Sequence, residues 1–239
     1  MTAVEFTGFR PAAFAFLRSL RRHNDREWFE RNRDTYETEL RRPLSALAEE
    51  IDVRLAAIAP EIVGDPKRSL FRIHRDVRFS ADKSPYKTHV ACWFHHVDAG
   101  RGVGTQTPHG GAGFYFHMEA DRASLGGGIW MPPRPTLQRI RQAIDEDVRP
   151  LATILAAARR RFGGLADEHM LTRMPRGYAE SHPAALLLRH QSYTLGRELA
   201  SRDLLSAKLA DVLARDFQRL TPLVRWINGA LGLRTLARR

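Results

Sequence analysis

Along the first third of the chain the apolar positions recur at three- and four-residue intervals, the period of a helix with one buried face. In PAAFAFLRSLRR, Phe14, Leu17 and Leu20 form a stripe behind Pro11, a residue suited to the first helical turn. Asn24 or Asp25 is placed to cap a second helix over NDREWFERNRDTYETELRRPL, with Trp28, Phe29, Tyr36 and Leu40 on its buried side. A third helix from Pro43 carries Leu44, Leu47, Ile51, Leu55 and Ile58 until Pro60 and the Gly64-Asp65-Pro66 turn end it.

From Leu70 the period falls to two. Strands are predicted over 70–79, 89–96, 114–119 and 124–130, and their short connections make them antiparallel. In the first, Phe71, Ile73, Val77 and Phe79 share one face, and Arg72, His74, Asp76 and Arg78 share the other. The Gly-rich stretch 97–112 reads as a hairpin loop. Helical spacing returns at Pro135, where Leu137, Ile140 and Ile144 line up, and a second helix covers 150–162. A turn-rich segment with a short helix from Pro183 follows, and then helices over 201–220 and 222–231. The fold class expected is α+β: an antiparallel sheet of about four or more strands in the middle of the chain, with helices N-terminal and C-terminal to it. The whole of 1–239 is expected to be a single domain, with a helical part (1–66), a sheet part (67–134) and a mainly helical part (135–239).

Charge and cysteine content narrow the partners. The net charge is +11, carried almost wholly by arginine, with lysine only at Lys67, Lys83, Lys87 and Lys208. The arginines are spread from end to end, and no aromatic-interleaved basic motif accompanies them, so nucleic acid is not the favoured partner. Cys92 is the single cysteine and sits in the apolar run HVACWF, which excludes an intrachain disulfide and points to a buried, inert thiol in a reducing, cytoplasmic setting. No stretch is long and apolar enough to span a membrane, and none reads as a signal peptide.

The candidate chemistry lies in SLFRIHRDVRFSADKSPYK. Arg72, Arg75, Arg78, Lys83 and Lys87 form a dense basic set, and guanidinium forks with ammonium points suit a phosphate or carboxylate. Asp82 and Asp76 would orient those groups, and Tyr86 would shape the turn and offer its hydroxyl. The alternative is an internal ion-pair network. His117 shares a strand face with Tyr115 and Glu119; Asp76 and His117 are the expected acid/base pair if the domain is an enzyme. Arg176, in the turn-rich segment with His182, is expected to join the same pocket. No metal site is expected: His95 and His96 point to opposite faces, and no Cys pair or helical His spacing supports one. No cofactor motif is present, because Gly126-Gly127-Gly128 lies inside a strand and leads into no helix. Those glycines are read as packing first and ligand lining second, and Trp28 and Trp130 as core anchors.

Five stretches, FLRSLRRHNDREWFERNRDTYE, FRIHRDVRFSADKSPYKTH, GFYFHMEADRASLGGGIWMPP, LQRIRQAI and RMPRGYAESHPAALLLRHQSY, resemble the bacterial and fungal domain-of-unknown-function family numbered twenty-four sixty-one. The resemblance covers nearly the whole chain. It implies a single intracellular domain and brings no substrate and no catalytic residues with it. The expectation is therefore a domain that binds an anionic small molecule through its basic strand-loop, with nucleic-acid association or a purely structural role as the alternatives.

Overall fold

In the computed structural model, which describes residues 5–78, 80–99 and 110–236, helix α1 (Pro11–Arg22) buries Ala13, Phe16, Leu17 and Leu20. Asp25 caps α2 (Arg26–Arg31), its carboxylate accepting the Trp28 N–H at 2.8 Å. At Asn32 the backbone leaves helical geometry, and the amide side chain donates to the Trp28 carbonyl at 2.8 Å. The chain then winds through α3 (Arg33–Tyr36), a π-helical turn (Glu37–Arg41) and α4 (Arg42–Ile58) without a break. Two separate helices were expected on either side of Pro43. The wide π turn explains their fusion, because it precedes a proline that has no N–H to donate.

Among the described residues five antiparallel strands follow one another in space as in sequence: β1 (Ile62–Val63), β2 (His89–His96), β3 (Gly113–Glu119), β4 (Ala123–Ile129) and β5 (Tyr193–Leu199). The α+β class and the central antiparallel sheet are as expected; β1 and β5 are additions to it. Between β4 and β5 lie α5 (Arg134–Glu146), α6 (Arg149–Phe162) and α7 (Ala185–Leu188). After β5 come α8 (Ser201–Leu204) and α9 (Leu209–Ala230).

α9 runs straight through Pro222, where two helices were expected. The proline leaves the Gln218 carbonyl without an intrahelical donor, but Gln218 is exposed and water can serve it. Thr221 donates its hydroxyl back to the Phe217 carbonyl at 2.8 Å in the same turn. The helix covers one face of the sheet. Phe217 stacks on Phe114 with ring centroids 4.7 Å apart and meets Phe94 at 5.7 Å. Gly127 lets Leu220 close in, since a Cβ there would stand 3.1 Å from that of Leu220. Cys92 is fully buried on this side, and burial pushes its thiol far up, so it is inert as expected.

The strand expected over 70–79 is the main departure. Leu70 bridges Cys92 and His74 bridges Tyr86, so three intervening residues on one side are matched by five on the other. The surplus is a two-residue bulge, and it breaks the ladder into isolated pairs. Phe71, Ile73 and Arg75 still hydrogen-bond with Ala91, Lys87 and Pro85, which makes 69–93 an irregular hairpin arm that runs into β2. The arm is tied down by Asn24, whose side chain donates to the Tyr86 carbonyl (2.9 Å) and accepts the Tyr86 N–H (3.0 Å). Phe79 and most of the Gly-rich stretch lie outside the described residues. Among the described residues no helix is long and apolar enough to cross a membrane.

Candidate functional site

The basic row of the hairpin arm is largely neutralised from within. Arg78 holds Asp76 through two side-chain hydrogen bonds of 2.9 and 2.7 Å. Arg75 pairs with Asp82 and donates to the Ser84 hydroxyl at 2.9 Å, and Lys83 donates to the Val77 carbonyl at 3.0 Å. The hydrogen bonds from Arg78 lower the Asp76 carboxyl to about 2, and those from Ser84 and then Arg75 bring Asp82 to about 2 as well. Tyr86 is buried and stacks on Phe29 at 4.1 Å, so its ring anchors the arm. Arg72 is exposed without a carboxylate partner among the described residues. Lys87 is half-buried, its ammonium 5.2 Å from the centre of the Phe71 ring.

Asp76 and His117, expected as an acid/base pair, have different partners: Asp76 binds Arg78, and His117 binds Glu119. Arg176 is exposed and is not among the residues lining the cavity described next, and His182 is held by Asp145 at 2.9 Å. Among the described residues no group of three His, Cys, Asp or Glu side chains is placed to hold a metal. His96 donates to or accepts from its own surroundings, with Nε2 2.9 Å from the Arg234 carbonyl and Nδ1 accepting the Asp98 N–H.

The face of the sheet turned away from α9 carries a cavity of about 710 Å³. The two-residue period and the register decide what lines it. Trp93, Tyr115, Gly126 and Gly196 sit side by side across β2 to β5, and Gly128 and Thr194 occupy the next row of the same face. Glycine forms the floor because the strands approach too closely for anything larger. A Cβ on Gly196 would stand 2.6 Å from the Leu125 carbonyl oxygen, and Gly128 has φ +131°. Phe71, Trp93 and Tyr115 form one wall, and Trp130, Gly164, Ala166 and Glu168 form the other. Phe71 meets Tyr115 edge-on at 6.0 Å. The indole N–H of Trp93 is buried with no hydrogen-bond partner among the described residues, a state that costs about 1–3 kcal/mol.

Trp130 corrects the expectation of a core anchor. It is 48% exposed at the cavity edge, just past the end of β4 and next to Met131, a residue held at φ 41°. The glycine run therefore serves both purposes weighed for it. Gly127 packs under α9, and Gly126 and Gly128 line the cavity. Trp28, by contrast, does pack against the core, with its ring 5.3 Å from that of Phe16.

Three side chains two residues apart on β3 form a chain that starts from Tyr115 in the cavity lining. The Tyr115 hydroxyl lies 3.0 Å from Nδ1 of His117, and Nε2 of His117 lies 2.9 Å from Oε1 of Glu119. A carboxylate only accepts, so Nε2 carries the hydrogen, Nδ1 is the acceptor, and Tyr115 donates to it. Arg122 donates to the same Glu119 oxygen at 3.0 Å, and this is the main reason the carboxyl is held below its ordinary value. Burial raises the Tyr115 hydroxyl and keeps it neutral. His89 on β2 lies 4.4 Å from the His117 ring and is lowered to about 4, first by burial and then by His117.

The residues of β5 and of the 164–168 segment were not singled out from sequence. A signal for β5 was present, since Tyr193, Leu195 and Leu199 keep a two-residue period, but Arg197 interrupts it. Arg197 is there for a buried partner: Asp216 on α9 is fully buried and takes hydrogen bonds from both Arg197 and Arg161. The family described as "Conserved hypothetical protein (DUF2461)" matches residues 12–226. No curated protein and no solved structure matches the chain.

Proposed function

The chain belongs to the DUF2461 family of conserved hypothetical proteins, and from the geometry of its open sheet face we propose that it binds a small organic molecule with a flat body and an anionic group. The observation that carries this reading is the glycine-floored cavity between two walls that bear aromatic rings. Flat faces on either side and bare backbone beneath suit a planar ligand, and the volume is of the size usual for small-molecule sites. Of the members of the basic row that lack a carboxylate partner among the described residues, Lys83 is taken up by the Val77 carbonyl, which leaves Arg72 and Lys87, and Lys87 lies over Phe71 at the rim. The anion contact is therefore given to these two. Arg75, Arg78, Asp82, Lys83 and Tyr86 act by holding the hairpin arm that presents them.

Anilinonaphthalene sulfonate, a flat ring system with one negative charge, is a direct probe. Its fluorescence should report one saturable site on the native protein. Ala166→Trp, which adds a ring to the exposed wall of the cavity, should abolish it. Lys87→Met should weaken it about tenfold, the loss of roughly one charge-assisted contact. Binding that is unchanged in both variants, with near-ultraviolet circular dichroism showing them folded, overturns the reading. Nucleic-acid association has only the net charge behind it, and a gel shift at low salt that vanishes at high salt would be its mark.

A further inference from the structure

We infer that Tyr115, His117 and Glu119 form a proton relay through which the cavity removes a proton from a ligand bearing an acidic C–H or O–H bond. This rests on the proposed binding of a ligand in the cavity. Side chains at 115, 117 and 119 of one strand necessarily share a face, and the cavity ends at the first of them. A histidine fixed by a carboxylate on one nitrogen and by a hydroxyl on the other is a common way to hold a polar sheet face together. Such bracing does not require one end of the chain to belong to the lining of a cavity, and here Tyr115 does.

The step balances without any further reactant. The ligand gives its proton to the Tyr115 oxygen as the hydroxyl proton of Tyr115 passes to Nδ1 of His117. The ligand keeps the electron pair as an enolate or an oxyanion, His117 becomes an imidazolium, and Tyr115 ends neutral. The reverse passage returns the proton to the ligand or its product. Glu119 is the positioning residue: it fixes the tautomer that leaves Nδ1 free to accept, and its charge balances the imidazolium. The groups facing His117 from neighbouring elements are few. His89 lies against it from β2, with Lys87 and Arg75 beyond, Arg122 binds Glu119 from the β3–β4 turn, and Ser124 and then Glu198 stand across β4 and β5. Burial keeps His89 neutral near pH 7, so it leaves the relay proton to His117.

Nitrobenzisoxazole tests the relay, because it is flat, and loss of its ring C–H proton breaks the N–O bond and releases a coloured cyanophenolate. The rate should saturate, and anilinonaphthalene sulfonate should compete. In Tyr115→Phe and His117→Ala kcat should fall about a hundredfold with KM within twofold, the usual worth of a general base. Added imidazole should restore part of the His117→Ala rate. Glu119→Gln, which still accepts from Nε2 but carries no charge, should lower kcat about tenfold at unchanged KM. A probe that displaces the sulfonate but turns over no faster in wild type than in His117→Ala overturns the relay and leaves the binding reading standing. Sulfonate binding that ignores both Ala166→Trp and Lys87→Met overturns the binding reading, and the relay with it. Independently of any probe, the imidazole nitrogen shifts of His117 in the free protein should show Nε2 protonated, and a proton found on Nδ1 overturns the relay.

Discussion

On β3, Phe114, Phe116 and Met118 turn towards α9 and are fully buried, while Tyr115, His117 and Glu119 turn the other way and stay half-buried. The same division holds across the sheet. Beneath α9 the strands offer Cys92, Phe94, Leu125 and Leu195, and on the opposite side Trp93, Gly126, Gly128 and Gly196. One face spends its side chains on close packing. The other carries little bulk beyond its rim and gathers its titratable groups at one end. Stability and chemistry are thus separated by a single residue of register, so substitutions at adjacent positions should have effects of different kinds.

The largest effect is expected beneath α9. Phe217 is fully buried and stacks on Phe114, so Phe217→Ala should cost about 3–5 kcal/mol in urea unfolding. Next comes Asp216, where Asp216→Ala leaves Arg161 and Arg197 without their shared carboxylate. Burial raises this carboxyl, but the hydrogen bonds and charges of the two arginines outweigh it and hold it ionised. Because Arg161 is partly exposed and can be rehydrated, the expected loss is about 2–3 kcal/mol, below that for a fully enclosed pair. A loss under about 1 kcal/mol in both variants would break the contrast between the faces.

How much of this was legible in the sequence follows from what each pattern encodes. His89–His96 was legible as a short apolar run, VACWF, and the strand after it as an alternation of Phe114, Phe116 and Met118 with more polar residues. The 70–79 stretch has the same period but fails as a strand, because a two-residue surplus between Tyr86 and Cys92 is a property of the pairing and leaves no mark on either segment alone. His117 and its neighbours on β3 were legible as a set. The partner expected from another strand, Asp76, was not found with it, because Arg78 lies two residues away and takes that carboxylate locally. The cavity was legible only as a glycine run, since its second wall comes from 164–168, and the Ala166 N–H that joins that wall to Thr194 has no sequence signature.

The half-buried His89 sharpens the comparison through pH. Its ordinary value is 6.5 and burial lowers it to about 4 in the fold. Between these values the unfolded chain binds the proton and the folded chain does not, so stability falls as pH drops from about 6.5 and levels off below about 4. The full linkage is reduced by the partial exposure of the ring, which leaves a loss of about 1–2 kcal/mol. His89→Gln should remove this part of the acid dependence in urea titrations at pH 7 and pH 4.5. An unchanged slope would mean that the open face tolerates a charge at His89 as readily as water does.

The smallest effect on stability is expected at Tyr115, one residue from Phe114 and Phe116. Tyr115→Phe deletes only the hydroxyl, and the ring keeps its edge contact with Phe71. One hydrogen bond to His117 is lost, and its nitrogen can turn to water at the cavity, so the change should stay below about 1 kcal/mol. Phe116→Ala, by contrast, empties a fully buried position on the same strand and should cost about 3–5 kcal/mol. The two variants lie one residue apart on the same strand, and what separates them is the face of the sheet on which each side chain lies. If Tyr115→Phe proved as damaging to unfolding free energy as Phe116→Ala, the hydroxyl would be a structural brace, and the open face would be a second packed surface rather than a place for chemistry.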